Sequence, residues 1–142
     1  MNKLLLWISL LLSLAFASCS NRTNIYPVSG KVTYKGQPAA GATVFFFRQG
    51  ADPVREPMIM GIVMQDGSFE LSCGSLGKGA PAGDYDVAIE WKQRSMPNRK
   101  QGRMPDKLNG RYADPRHPLL RAKVEAESNQ LSPFDLVAES PH

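Results

Sequence analysis

From residue 26 onward, apolar and polar side chains alternate one for one in run after run, and the runs are punctuated by glycine and proline. The clearest is GAPAGDYDVAIEWK, where Tyr85, Val87, Ile89 and Trp91 alternate with Asp84, Asp86, Ala88 and Glu90. A period of two marks a strand with one buried face, whereas a surface helix needs an apolar stripe recurring about every 3.6 residues. VSGKVTY follows the same rule, with Val28, Val32 and Tyr34 on one face and Lys31 and Thr33 on the other. In residues 120–127, Leu120, Ala122, Val124 and Ala126 alternate with Arg121, Lys123, Glu125 and Glu127, and residues 131–137 contribute Phe134 and Leu136. Residues 42–48 differ, because Phe45, Phe46 and Phe47 make the run apolar on both faces, as in a strand covered on both sides. Alternate rings are expected in the core, with the other packed beneath a loop.

Turn chemistry points the same way. Gln65-Asp66-Gly67 separates residues 58–64 from residues 68–72, whose Phe69 and Leu71 face inward; Asp-Gly between two such runs predicts a hairpin. Lys35-Gly36-Gln37-Pro38 has no nucleophile, acid–base pair or ligand set. Gly36 supplies a positive φ, Pro38 fixes the chain as it leaves, and the stretch reads as a strand connection. About seven short strands, no helical period and no internal repeat predict an all-β fold. The expected architecture is a single antiparallel Greek-key β-sandwich over residues 27–138.

The first 18 residues stand outside that sandwich. Lys3, an apolar stretch over residues 4–16, and the small residues Ala17 and Ser18 have the layout of a secretory signal. The apolar stretch is shorter than the ~20 residues that span a bilayer comfortably. Phe16-Ala17-Ser18-Cys19 resembles a bacterial lipobox, with Phe16 where Leu is usual; that resemblance implies acylation of Cys19 as the mature N-terminus. An ordinary signal peptide cleaved near Ala17 is the other reading. Residues 19–26 then form a polar tether and residues 139–142 a tail. The expectation is an exported protein anchored to a membrane without spanning it. The outer membrane is preferred by resemblance, because Ser20 is not the Asp that retains many lipoproteins at the inner membrane.

If Cys19 carries lipid, Cys73 has no intramolecular partner and no disulfide framework is expected. Cys73 reads most simply as a strand-end residue, with a reactive thiol as the second reading. Without the leader, which holds only Lys3 among the charges, 16 basic side chains face 13 acidic ones, a net of +3. Charges of both signs are interspersed, so the balance says little about partners.

One connection is out of proportion: residues 93–118, far beyond hairpin length. It begins with Arg94, Arg99, Lys100 and Arg103, without an acidic neighbour until Asp106, and ends in the turns Asp114-Pro115 and His117-Pro118. The closing stretch DKLNGRYADPRHPLLRAKVEAESNQLSPFDL joins VSGKVTYKGQPAAGATVFF, QDGSFEL and GAPAGDYDVAI as a set. Together they resemble the carboxypeptidase regulatory-like, transthyretin-like β-sandwich domains, in the short lipoprotein form of planctomycete-type bacteria. The set covers most of residues 28–137, in the family's order, with Leu108 where Tyr is commoner and Tyr112 following. The resemblance implies a non-catalytic module without cofactor that contacts carbohydrate or protein partners.

Catalytic chemistry finds few residues to stand on. There are two histidines, His117 and the terminal His142. Hydroxyisourate hydrolases of the transthyretin type end in Tyr-Arg-Gly-Ser, whereas this chain ends Glu139-Ser140-Pro141-His142. Intradiol dioxygenases bind iron with two Tyr and two His, and a second well-placed His is lacking. Asp84, Asp86 and Glu90 alternate with inward residues and form no calcium loop. Tyr112 and His117, flanked by Asp114 and Arg116, are the best polar cluster, either a ligand-contacting loop with a titratable His or a proline-rigidified crossover. The basic run suits anionic lipid head groups or acidic envelope polymers, or else is a solvated loop; nucleic acid is not expected, since interleaved aromatics are lacking. The expected function is a lipid-anchored, non-enzymatic envelope module that is structural or binds a protein or polysaccharide. Arg94, Arg99, Lys100, Arg103, Tyr112 and His117 are the candidate contacts, and a hydrolase-type or ligand-binding site around Tyr112 and His117 is the alternative.

Overall fold

A computed structural model describes residues 22–52, 55–92 and 105–137 of the chain. Ten short strands form two facing sheets. They are β1 (Val28–Tyr34), β2 (Gln37–Pro38), β3 (Thr43–Arg48), β4 (Ile59–Ile62), β5 (Ser68–Glu70), β6 (Ser72–Cys73), β7 (Gly83–Glu90), β8 (Leu120–Val124), β9 (Asn129–Gln130) and β10 (Phe134–Leu136). The fold is an all-β sandwich, as the alternation predicts.

The larger ladder is wholly antiparallel, in the order β6-β4-β3-β7-β8. The other sheet is built around β1. On one side β1 pairs antiparallel with β2 and β5; on the other it pairs parallel with β9 and β10. The sandwich is therefore antiparallel-rich, with a parallel seam where the C-terminal strands return beside β1. Alternation along β9 and β10 carries no information about pairing direction, because both ladders place side chains with a period of two.

The expected single strand over residues 68–72 divides. β5 pairs with β1, and two residues later β6 pairs with β4 in the opposite sheet. Leu71 sits at the switch, its N–H donating to the Val28 carbonyl at 2.9 Å and its side chain 1% exposed. Gln65-Asp66-Gly67 turns the chain, with the Met64 N–H on the Ser68 carbonyl at 2.7 Å, yet β4 and β5 are not paired partners. The Asp-Gly signal thus marks a corner between sheets. Asp66 holds it by accepting from the Ser68 hydroxyl and N–H, which lowers its pKa.

The inner faces carry Val28, Val32, Val44, Phe46, Ile59, Tyr85, Val87 and Ile89, all buried. Phe69 and Phe134 stack at 6.2 Å between centroids. Gly30 is paired with Phe69 across β1 and β5, and a Cβ at residue 30 would lie 2.8 Å from that ring, so the glycine makes room for it. Lys35 and Gly36 both have positive φ between the paired residues Tyr34 and Gln37, as a two-residue hairpin turn of the right hand requires.

The two ends of the sandwich are distinct. Tyr26 bridges Ala80 where the chain arrives from its N-terminal side, and seven-residue β1 carries it to Tyr34 and Lys35 at the opposite end, about 3.3 Å per residue. At that far end β7 stops at Glu90. Trp91, expected to continue the inward row, is half-buried beyond the strand, its indole N–H on the Ala40 carbonyl at 3.0 Å.

Candidate functional site

Phe45 and Phe47 point away from the core, because their neighbours Val44 and Phe46 take the inner face of β3. Their rings lie 6.5 Å apart, tilted by 32°. Register places Met60 of β4 on one side of Phe45 and Ala88 of β7 on the other. Met58 and Ile62 extend the β4 row, 65% and 62% exposed. The outer face of this sheet is thus apolar across three strands, where a sandwich normally turns polar residues to water.

A groove of about 540 Å³ runs over that face. One wall comes from the β3–β4 connection with Ala51, Glu56 and Pro57, the other from Ala113, Pro115 and Arg116. Ala88, expected on the solvent side, is 2% exposed because it lies in the groove floor beneath that second wall. Phe45 and Phe47 share this groove with Ala113, Pro115 and Arg116, so a loop does lie beside the outward rings; the basic stretch of that connection, residues 93–104, lies outside the described residues. Asp86 and Glu90 line the rim, but Gln49 donates to Asp86 at 2.8 Å, Arg121 pairs with it at 3.4 Å, and Lys92 pairs with Glu90 at 2.8 Å.

Asp106 organises the described part of the long connection. Its Oδ1 accepts the N–H groups of Trp91 at 2.8 Å and Leu108 at 3.1 Å, and its Oδ2 accepts that of Gly110 at 2.9 Å. A Lys92–Asp106 bridge closes the base of the segment between them. The turns that follow lead to Tyr112, which is 7% exposed. Its carbonyl accepts the Ile89 N–H at 2.8 Å and its hydroxyl accepts the Val137 N–H at 3.2 Å. Tyr112 thereby ties the connection to β7 and to the end of β10.

His117 is placed differently. Its side chain is 84% exposed and its Nδ1 lies 3.1 Å from Asp114 Oδ2. Arg116 donates to the same carboxylate through Nε at 3.1 Å and through its backbone N–H at 3.0 Å. His117 and then Arg116 hold the Asp114 carboxyl well below the usual carboxylate range. Tyr112 and His117 are thus partnered separately, one in the core and one at the surface. Cys19, Arg94, Arg99, Lys100 and Arg103 lie outside the described residues.

Cys73 ends β6 as a free, buried thiol, and burial, helped by Glu56, pushes its pKa up. Such a thiol stays protonated and inert. Among the described residues no three His, Cys, Asp or Glu side chains converge as a metal site, and no helix is long and apolar enough to cross a membrane.

The groove could not be read from the linear pattern. Phe45 and Phe47 signalled a covered strand, but the cover depends on Met58, Pro115 and Arg116, which only the fold brings beside them. Comparison with protein-family models, curated proteins and solved structures finds no match for this chain.

Proposed function

We propose that this chain is a non-enzymatic cell-envelope module, exported and lipid-anchored through Cys19, that holds a protein partner against the outer face of the β4-β3-β7 sheet. The observation that carries the reading is the Phe45–Phe47 floor with exposed Met58 beside it. Exposed apolar patches rimmed by polar groups are typical of interaction sites, and methionine adapts to irregular partners. A polysaccharide in this groove would ask for indole or phenol platforms and many hydrogen-bond donors. Phe45, Phe47 and Met58 supply apolar area instead, which favours protein side chains.

The alternative, a hydrolase-type or ligand-binding site around Tyr112 and His117, has less behind it. The Tyr112 hydroxyl is engaged with Val137 and the His117 ring with Asp114. The basic residues Arg94, Arg99, Lys100 and Arg103 belong to a connection that leaves the described fold at Lys92 and re-enters it at Pro105, at the end opposite the arriving tether, and are proposed as auxiliary contacts.

The test is a pull-down of the same partner with three proteins: the intact chain, Phe45→Ser/Phe47→Ser, and a chain lacking residues 93–103. Loss with the double substitution alone supports the groove, and loss with the deletion alone transfers the role to the basic segment. Equal recovery by all three removes both.

A further inference from the structure

We infer that the end of the sandwich opposite the tether is a second binding site, for an acidic polysaccharide, built from Lys35, Lys107 and Arg111. Each cation lies over an aromatic ring. Lys35 Nζ is 5.3 Å from the centre of the Tyr34 ring, Lys107 Nζ is 4.2 Å from that of Trp91, and Arg111 Cζ is 5.8 Å from that of Tyr112. All three such pairs found among the described residues sit at this one end, although they come from separate parts of the sequence. Tyr34 and Trp91 meet edge to face at 5.8 Å, and the Tyr112 hydroxyl reaches Val137, next to the Leu136 that pairs with Tyr34.

The local carboxylates have other hydrogen-bond partners and make no ion pair with these cations. Asp106 is occupied by three backbone N–H groups. Glu90 is held by Lys92, Asp135 by Thr33, and Asp66 by Ser68. None of the ion pairs among the described residues involves Lys35, Lys107 or Arg111. The result is three cations outside any ion pair yet braced on rings. A Lys or Arg side chain gives up rotamer entropy when it is fixed, and resting on a ring takes part of that loss before any ligand arrives.

Unpaired, spaced cations fit a ligand that repeats its negative charge. Two polyanions compete for such a surface, a membrane and a polymer. The membrane is disfavoured by direction, because Tyr26 is where the chain arrives from Cys19 and the cluster lies at the other end of β1. A polymer of sugar acids matches better, since the exposed Lys35, Lys107 and Arg111 take its repeated carboxylates while half-buried Tyr34 and Trp91 leave apolar ring surface beside them for the sugar backbone. The site shares no residue with the groove. It rests on the proposed export only for the choice of polysaccharide over membrane.

The experiment uses the full lipidated chain in detergent micelles with polygalacturonate as the probe. Binding is followed by titration at low and moderate salt, with neutral dextran, polyglutamate and phosphatidylglycerol vesicles as the other arms. Expected is binding to polygalacturonate that weakens with salt, little binding to dextran, and weaker binding to polyglutamate and vesicles. Lys35→Gln/Lys107→Gln/Arg111→Gln should lower the affinity about tenfold or more and flatten the salt dependence. Lys107→Arg should keep it, and an unchanged melting temperature shows that the triple variant is folded. Phe45→Ser/Phe47→Ser should leave polygalacturonate binding intact, so that failure of the groove reading is separable from failure of this one. Binding that is absent, equal in the triple variant, or tighter to polyglutamate or vesicles overturns the assignment.

Discussion

The hydroxyl of Tyr85, at the entry to β7, donates to the Pro81 carbonyl at 2.7 Å, four residues back along the chain. The ring packs against Phe46 at 5.6 Å and the residue is fully buried. This closes the corner where the chain enters β7, a device found in Greek-key sandwiches. Tyr85→Phe should cost about 1–2 kcal/mol in denaturant unfolding, the value of one buried bond with its acceptor left unpaired.

Burial pushes the Tyr85 pKa from 10.0 up to about 12. Below pH 10 the phenol is neutral in both states and contributes no pH dependence. As pH rises from 10 to about 12 the unfolded chain loses the proton first, so stability falls, by on the order of 1 kcal/mol per pH unit. The difference between wild type and Tyr85→Phe should therefore shrink between pH 9 and pH 11.5. A constant difference would remove the ionisation argument.

Asp106 and Tyr112 secure the long connection, and the two should respond unequally to substitution. Asp106→Ala strands three N–H groups at once and should destabilise by about 2–3 kcal/mol. Tyr112→Ala opens a cavity beneath the connection and should cost about 3 kcal/mol or more. His117→Ala, at an exposed turn, should stay within about 0.5 kcal/mol of wild type. Thermal or urea unfolding of the three variants checks the order.

Two glycines record close approaches. A Cβ on Gly61 would sit 2.6 Å from the Glu70 carbonyl oxygen, where β4 passes beneath β5. Gly61→Ala should cost about 1–3 kcal/mol because that neighbour is backbone. Gly30→Ala meets the edge of the Phe69 ring, which has side-chain freedom, so it should cost less. Equal losses would mean the ring is as rigidly held as the backbone.

The strands were legible because a period of two survives in the residues themselves. Tyr85, Val87, Ile89 and Val124 face inward as the alternation predicts, and the Lys35-Gly36 turn follows from glycine's access to positive φ. The sheet switch at Leu71 was not legible, since β5 and β6 together read as one continuous strand. The parallel return of β9 and β10 was hidden too, because direction of pairing leaves no mark on alternation. For the site, Phe45 to Phe47 flagged an unusual strand, whereas the unpaired state of Lys35, Lys107 and Arg111 depends on which carboxylates the fold occupies elsewhere. Tyr112 looked polar and available in the sequence; the fold spends its hydroxyl on Val137.

Thiol titration reaches both cysteines. If Cys19 is acylated as proposed, then with Cys73 buried the native full-length protein should show no thiol reactive to a disulfide reagent, and the unfolded protein should show one. Two thiols after unfolding would mean Cys19 is free, and rapid native reaction would mean the end of β6 opens readily.

Photo-crosslinking in cells asks whether the outer face of the β4-β3-β7 sheet is the proposed working surface. A photoreactive residue replacing Met58 lies beside the groove floor, and one replacing Glu127 lies away from it at the tether end. A discrete adduct from position 58, abolished by Phe45→Ser/Phe47→Ser and missing from position 127, is the predicted result. The same adduct from both positions, or none from position 58, would contradict it.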